Sequence, residues 1–275
     1  MSALMEVKGI TRRFGGLVAV NNVNLEIEDG GLYGLIGPNG AGKTTCFNML
    51  TGVIEPSEGQ IYFQGRRIDG KKAYQFTQIG IARTFQNIRL FKSLSVLDNV
   101  KIACHFGCGY TMLRAFMHGP VFQRKEKEIE EHAMEMLRIF KLDHDAQEVS
   151  SNLAYGEQRR MEIARAMATR PKLLLLDEPA AGMNPTESAE LMDLIRFVRE
   201  KFGTTIVLIE HDMKVVMGLC EKILVLDYGT PIAYGTPDEV QANPRVIAAY
   251  LGSDEDEPPP PSPPASAPEV PEKAP

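Results

Sequence analysis

Disulfides, membrane-length apolar runs and basic surface are all scarce in this chain, and each shortage removes a class of protein. Cys46, Cys104, Cys108 and Cys220 are too few and too unevenly spaced for a disulfide framework in 275 residues, so reduced thiols are expected. Cys104, His105 and Cys108 could supply half a metal site, but no second ligand pair at tight spacing follows. They are more simply small buried side chains. No uncharged apolar run approaches the roughly 18 residues of a spanning helix. Glu6 and Lys8 interrupt the first apolar stretch before it reaches signal-peptide length. The chain is therefore expected neither to cross a membrane nor to be exported, and any membrane role must come through a partner.

The net charge is −6, of which Asp254, Glu255, Asp256, Glu257, Glu269 and Glu272 against Lys273 account for −5. The body is left nearly neutral, without the basic face that a nucleic-acid surface needs. From Ser253 onward come nine of the eighteen prolines among acidic and small residues, so residues 253–275 are predicted to be a disordered tail with polyproline II character. The remainder is apolar enough to fold as one large domain or two small ones, and no internal repeat is visible.

What is present points to phosphate chemistry. Residues 32–50, LYGLIGPNGAGKTTCFNML, read as a short apolar strand, a glycine loop and a helix. Gly37, Pro38, Asn39, Gly40, Ala41, Gly42, Lys43 and Thr44 fit G-x-x-x-x-G-K-[ST], with Thr45 as a second hydroxyl. Glycines let successive N–H groups turn inward around phosphates, Lys43 reaches the β and γ phosphates, and the Thr44 hydroxyl is placed for Mg²⁺. Downstream, four leucines precede Asp177 and Glu178, which suits a strand buried on both faces of a parallel sheet. Ligands bind beyond the carboxyl ends of such strands. Asp177 can hold Mg²⁺ through water, and Glu178, one residue further out, can orient or deprotonate an attacking water. A third strand, TTIVLIEH, ends at His211 on the same edge, which suits a contact to the γ-phosphate or to water.

Residues 151–167, SNLAYGEQRRMEIARAM, place Gly156 where a helix begins. Met161, Ala164 and Ala168 mark the buried face, and Arg170-Pro171 closes it. A helix start offers unpaired N–H groups and the positive end of the dipole to an anion, although an ordinary turn entering a core helix has the same sequence. Between about 91 and 165 the pattern is helical, with Ile129, Ala133, Met136, Leu137 and Phe140 forming one stripe. Residues 106–122, FGCGYTMLRAFMHGPVF, are rich in Met and aromatics and read either as a core or loop insertion or as a partner surface. Asn184-Pro185-Thr186-Glu187 and Thr236-Pro237-Asp238-Glu239 each carry the signals of a capped helix start.

Together these residues resemble the ATP-binding subunits of ABC transporters over about residues 4–252. GPNGAGKTT resembles their Walker A, LLLLDEP their Walker B with its glutamate, Gln86 in RTFQNIRLF their Q-loop, AAGMNP their D-loop and LAYGEQRR their signature loop. His211 matches their switch histidine, and Phe14 matches the aromatic that stacks on adenine. The resemblance implies an α/β P-loop NTPase of ABC type, with an antiparallel β subdomain, a helical subdomain at about 91–165, and ATP and Mg²⁺ as cofactors. It implies that two chains close face to face, each ATP held by the Walker A of one and by Ala154, Tyr155, Gly156 and Glu157 of the other. Lys43 would then hold phosphate, and Thr44, Gln86 and Asp177 the metal. Glu178 would activate water, His211 would position the reacting groups, and Gln86 would link the site to a membrane subunit.

Ala154, Tyr155 and Glu157 depart from the commonest signature, Leu-Ser-Gly-Gly-Gln. Loss of the serine hydroxyl predicts weakened closure, because a hydrogen bond to a charged group contributes about 1.5–3 kcal/mol. LAYG, RTFQNIRLF and YGTPDEVQANPRVIAAYLG look most like the larger ATPase subunit of bacterial branched-chain amino-acid importers. That likeness implies a second ATPase subunit, different or identical, two permease subunits, and indirectly a periplasmic or extracellular solute-binding protein. It places the chain on the cytoplasmic side of the inner or plasma membrane, peripheral through the permeases. The alternatives are an importer ATPase for another small polar solute, an ABC-type ATPase with no membrane partner, and a P-loop kinase.

Overall fold

A computed structural model describes residues 3–106 and 119–251. Cys108, Met117, most of the 106–122 stretch and the tail from 252 onward lie outside the described residues. Strands β1 (Ala3–Phe14) and β2 (Leu17–Glu28) pair antiparallel across the Gly15-Gly16 turn. After β3 (Leu32–Ile36), strand β4 (Glu58–Phe63) joins the other edge of β1, and the short β5 (Arg66–Arg67) completes a four-stranded antiparallel sheet of order β2-β1-β4-β5. Alternation in β2, where Val23, Leu25 and Ile27 are buried and their neighbours exposed, is that of a strand with one wet face.

The second sheet takes β3, β6 (Ile81–Arg83), β7 (Leu173–Asp177), β8 (Thr205–Ile209) and β9 (Lys222–Asp227) in parallel. An antiparallel edge, β10 (Thr230–Gly235), gives the order β10-β9-β3-β8-β7-β6. All five residues of β3, β7 and β8 are buried, as their unbroken apolar runs predict for strands covered on both faces. Leu174, Leu176, Ile206 and Leu208 enter one core with the helices. Leu173, Leu175, Val207 and Ile209 enter the other, with Phe47, Ile10 and Ile27 from the first sheet.

Helices α1 (Lys43–Leu50), α2 (Ala73–Gln78) and α3 (Val96–Cys104) precede α4 (Pro120–Ile139). The predicted stripe Ile129, Ala133, Met136, Leu137 and Phe140 is buried, and α4 runs 20 residues. Helix α5 (Tyr155–Met167) packs on α3 and α4, with Met161, Ala164 and Ala168 inside as predicted. Helices α6 (Pro185–Phe202), α7 (Met213–Leu219), α8 (Pro237–Gln241) and α9 (Pro244–Leu251) follow. Both predicted caps form: Asn184 Oδ1 accepts from Glu187 N at 2.9 Å while Glu187 returns a carboxylate to Asn184 N at 3.0 Å. Thr236 and Glu239 repeat the exchange. No helix of the described residues is long and apolar enough to cross a membrane.

Candidate nucleotide site

Parallel pairing sets Leu35 opposite Ile209 and Asp177 opposite the same Ile209, so the loops after β3, β7 and β8 leave the sheet at one edge. The loop after β3 is the glycine loop. A Cβ on Gly37 would lie 2.1 Å from Leu226 O, and one on Gly42 would lie 2.3 Å from Ala19 O, with φ +90 at Gly42. Only glycine fits these two positions. Gly42 caps α1 without any side-chain bond, which leaves the first amides of that helix for a ligand. The Lys43 side chain, only 9% exposed, donates from Nζ to Gly37 O at 2.7 Å and Pro38 O at 2.8 Å. Burial holds its pKa below the usual lysine range, and Glu178 opposes that shift.

A cleft of about 460 Å³ opens over this loop, lined by Leu17–Ala19, Asn39–Thr45, Gln86, Glu178 and Tyr228. Glu178 sits in the left-handed region, φ +46, with its N–H donating to Ile209 O at 2.9 Å. That bend turns the Glu178 side chain off the strand line. Gln86 Nε2 donates to Glu178 Oε2 at 3.0 Å, and His211 Nδ1 lies 3.9 Å from the same oxygen. A carboxylate oriented by an amide and flanked by an imidazole is equipped to take a proton from water.

Asp177 is not on the cleft wall; it is 5% exposed, and Arg83 Nη2 donates to its Oδ2 at 3.0 Å. Arg83 also donates from Nη1 to Asn48 Oδ1 at 2.7 Å and Thr51 Oγ1 at 3.0 Å on α1. Burial pushes the Asp177 carboxyl up, and the Arg83 guanidinium pulls it back. The Thr44 hydroxyl, the Gln86 amide oxygen and Asp177 are an all-oxygen donor set, the chemistry that suits Mg²⁺.

Other predicted residues stand apart from this cleft. Phe14 is not on its wall; the ring is 44% exposed, with the Arg12 guanidinium 4.7 Å from its centroid. Ala154, Tyr155, Gly156 and Glu157 are also absent from the wall. Helix α5 starts at Tyr155, so Ala154 is its cap and Gly156 its second residue, one place inside the expected start. Glu157 Oε2 accepts from Ala154 N at 3.1 Å, half of a capping box that Ala154 has no oxygen to complete. The Tyr155 ring lies beside Gly182, where a Cβ would come within 3.1 Å of it.

Arg83, Arg159, Glu162 and Glu210 escaped the reading of the sequence. Glu210 is 1% exposed and its Oε1 accepts from Ala180 N at 2.9 Å, tying β8 to the loop after Glu178. Burial raises its carboxyl pKa. The available signal was a charged residue at the helical or strand phase of buried neighbours. Arg159 and Glu162 stand three apart beside Gly156 and Ile163, and Glu210 directly follows an apolar strand. Cys46, Cys104 and Cys220 are buried, and burial pushes the Cys46 and Cys220 thiols up to about 12.

A phosphate-cradling loop, a strand-end acid pair and a separate glycine-bearing helix start define a nucleotide-binding cassette. The ABC transporter family profile matches residues 20–181, and the profile for the branched-chain amino acid ATP-binding cassette transporter matches 230–256. The high-affinity branched-chain amino acid transport ATP-binding protein LivG of Salmonella typhimurium is 49% identical over 250 residues, 90% of this chain and 98% of that protein. BraF of Pseudomonas aeruginosa, of the same description, is 47% identical over 249 residues, covering 90% and 98%. A nucleotide-free ATP-binding cassette from an ABC transporter superposes with TM-score 0.79 at 30% identity, covering 90% of this chain and 99% of that one. A cassette in its ADP conformation gives 0.79 at 29%, covering 92% and 100%. The chain belongs to the ABC transporter family of ATP-binding proteins, and it carries the nucleotide-binding, ATP-hydrolysing fold of that family.

Proposed function

We propose that the chain is an ATP-hydrolysing subunit of a branched-chain amino-acid importer, working on the cytoplasmic face of the membrane by closing with a second ATPase chain around two ATP molecules. The relatives named above, matched along nearly their whole length, support the amino-acid assignment. The observation that carries the closure is the separation of parts. Lys43, Gln86 and Glu178 surround one cleft, while Gly156 starts a helix outside it. Within this chain a bound γ-phosphate would meet no signature residue, and a second chain supplies that wall. The loop amides and Lys43 hold phosphate, and Thr44, Gln86 and Asp177 offer oxygens to Mg²⁺, which supplies charge neutralisation on the phosphates when bound. Glu178, held by Gln86, takes the proton of the attacking water, and His211 steadies that carboxylate.

A groove of about 430 Å³ between the sheet and the helices carries Arg83, Phe85, Phe91, Ile102, Phe106 and Glu162. Phe91, Ile102 and Phe106 are exposed there, beside the residue that precedes Gln86. A cytoplasmic loop of a permease subunit is the occupant we assign to it, and the helices on its far side are the helical subdomain. Closure is tested with Glu178→Gln, which should leave ATP binding intact and trap a dimer seen by sedimentation, alone or with a sister ATPase subunit. Persistence as a monomer with every candidate sister would remove the proposal.

A further inference from the structure

Arg159 is the largest fully buried side chain of the described residues, 0% exposed in the second turn of α5. Its guanidinium reaches into the loop that carries Gln86: Nη1 donates to Phe85 O at 2.9 Å and Nη2 to Gln86 O at 2.9 Å. The same Nη2 donates to Tyr155 Oη at 3.1 Å, and Nη1 to Glu162 Oε2 at 3.3 Å. Tyr155 in turn lies on Gly182, in the loop that follows Glu178. Glu162 lines the groove beneath and accepts from Arg89 N at 3.4 Å. Arg159 therefore ties the start of the signature helix directly to the loop of Gln86 and, through the Tyr155 ring, to the loop after Glu178, the two loops whose side chains meet at the cleft.

Stability alone does not account for this arrangement. A buried ion pair is commonly matched by apolar side chains of similar size, and Arg159 Nε finds no acceptor among the described residues. Two short bonds to carbonyls of one loop do what an apolar residue cannot, which is to fix the direction of that loop relative to α5. They also explain Tyr155, a bulky residue where the commonest signature has glycine. Its hydroxyl is one of the four acceptors of the guanidinium, and its ring rests on the next loop.

Resting on the two-chain closure proposed above, we infer that Arg159, with Tyr155 and Glu162, is a positioning residue that makes the Gln86 loop and the signature helix move as one piece. Occupancy of this chain's own cleft is thereby reported at the face offered to the partner's nucleotide. The link lies inside one chain, so it can be measured without a partner.

The test is hydrogen exchange on the full chain in a Glu178→Gln background, with ATP and Mg²⁺, at concentrations where sedimentation shows a monomer. Without further substitution, ATP should slow exchange about tenfold in residues 84–90 and 153–160 together. With Arg159→Met it should slow only 84–90. With Arg159→Lys, whose single ammonium cannot span both carbonyls, the signature segment should respond partially. Tyr155→Phe, which removes one acceptor and keeps the ring, should reduce the response of 153–160 without changing that of 84–90. Equal protection of 153–160 in Arg159→Met, no response of 153–160 in the unsubstituted chain, or acceleration that extends through β3, β7 and β8 would overturn the inference. Failure of Glu178→Gln to dimerise at high concentration would remove the closure alone and leave the exchange result standing.

Discussion

Two helix starts in this molecule end in glycine-bearing turns, and they are finished differently. Helix α1 begins at a left-handed Gly42 with no side chain bonded to its first amides, and with Lys43 held beside it. Helix α5 begins at Ala154, has no lysine, and returns one carboxylate, Glu157, to its cap. A third start, at Asn184, satisfies itself on both sides. The contrast separates three forms of one geometry: a start that brings its own cation, a start that, under the closure proposed above, offers amides and dipole to the partner's phosphate, and a plain structural cap.

Substitutions at the two glycines should break the comparison most sharply. Gly42→Ala forces a side chain into Ala19 O at a left-handed backbone, a strain of about 1–3 kcal/mol. Nucleotide binding by the single chain should fall up to about 100-fold, measured by equilibrium titration; unchanged affinity would show that the loop adapts. Gly156→Ala should do the reverse. A Cβ there meets only ordinary contacts, 3.4 Å from Glu187 Oε1 and Met183 Cε. Alanine also favours the helix by up to about 1 kcal/mol. Melting temperature should hold or rise and single-chain binding should persist. ATPase of the assembled dimer should drop about tenfold or more, as a phosphate loses a charge-assisted bond. A drop in melting temperature, or full dimer activity, would place Gly156 in a purely structural role.

Ala154→Ser sharpens the same contrast from the other side. It supplies the missing cap oxygen, about 1 kcal/mol of helix stability, and restores a donor toward the partner's phosphate. Dimer yield with ATP in the Glu178→Gln background should rise about tenfold, and an unchanged yield would mean that the amides alone suffice. Phe14→Ala should have the smallest effect. If adenine stacks on the ring face that Arg12 leaves open, the loss of roughly 1 kcal/mol raises KM for ATP about fivefold, with less change in kcat. An unaltered KM would turn attention to Leu17 and Tyr228, which do line the cleft.

Much of this was legible in the sequence because the chemistry is contiguous. Gly37 to Thr45 is one loop running into its helix, and Asp177 ends a strand that Glu178 directly follows. The apolar runs of β3, β7 and β8 and the caps at Asn184 and Thr236 announce themselves within a few residues. Arg83, Arg159 and Glu162 were hidden because each has a remote partner: Arg83 meets Asp177, Arg159 meets the carbonyls of Phe85 and Gln86, and Glu162 accepts from Arg89 N. A charged residue on a helix ordinarily signals a solvated face, and only tertiary packing reverses that. Phe14 illustrates the opposite limit, since a pattern match places it beside adenine while the fold leaves its ring outside the cleft wall.

The grip of Lys43 on Gly37 and Pro38 also closes the loop on itself. The ammonium has two carbonyl oxygens of its own loop as neighbours, so the curve of the loop is held from within and its charge is not left unpaired. An arriving nucleotide exchanges one set of oxygens for another and finds its cradle already shaped.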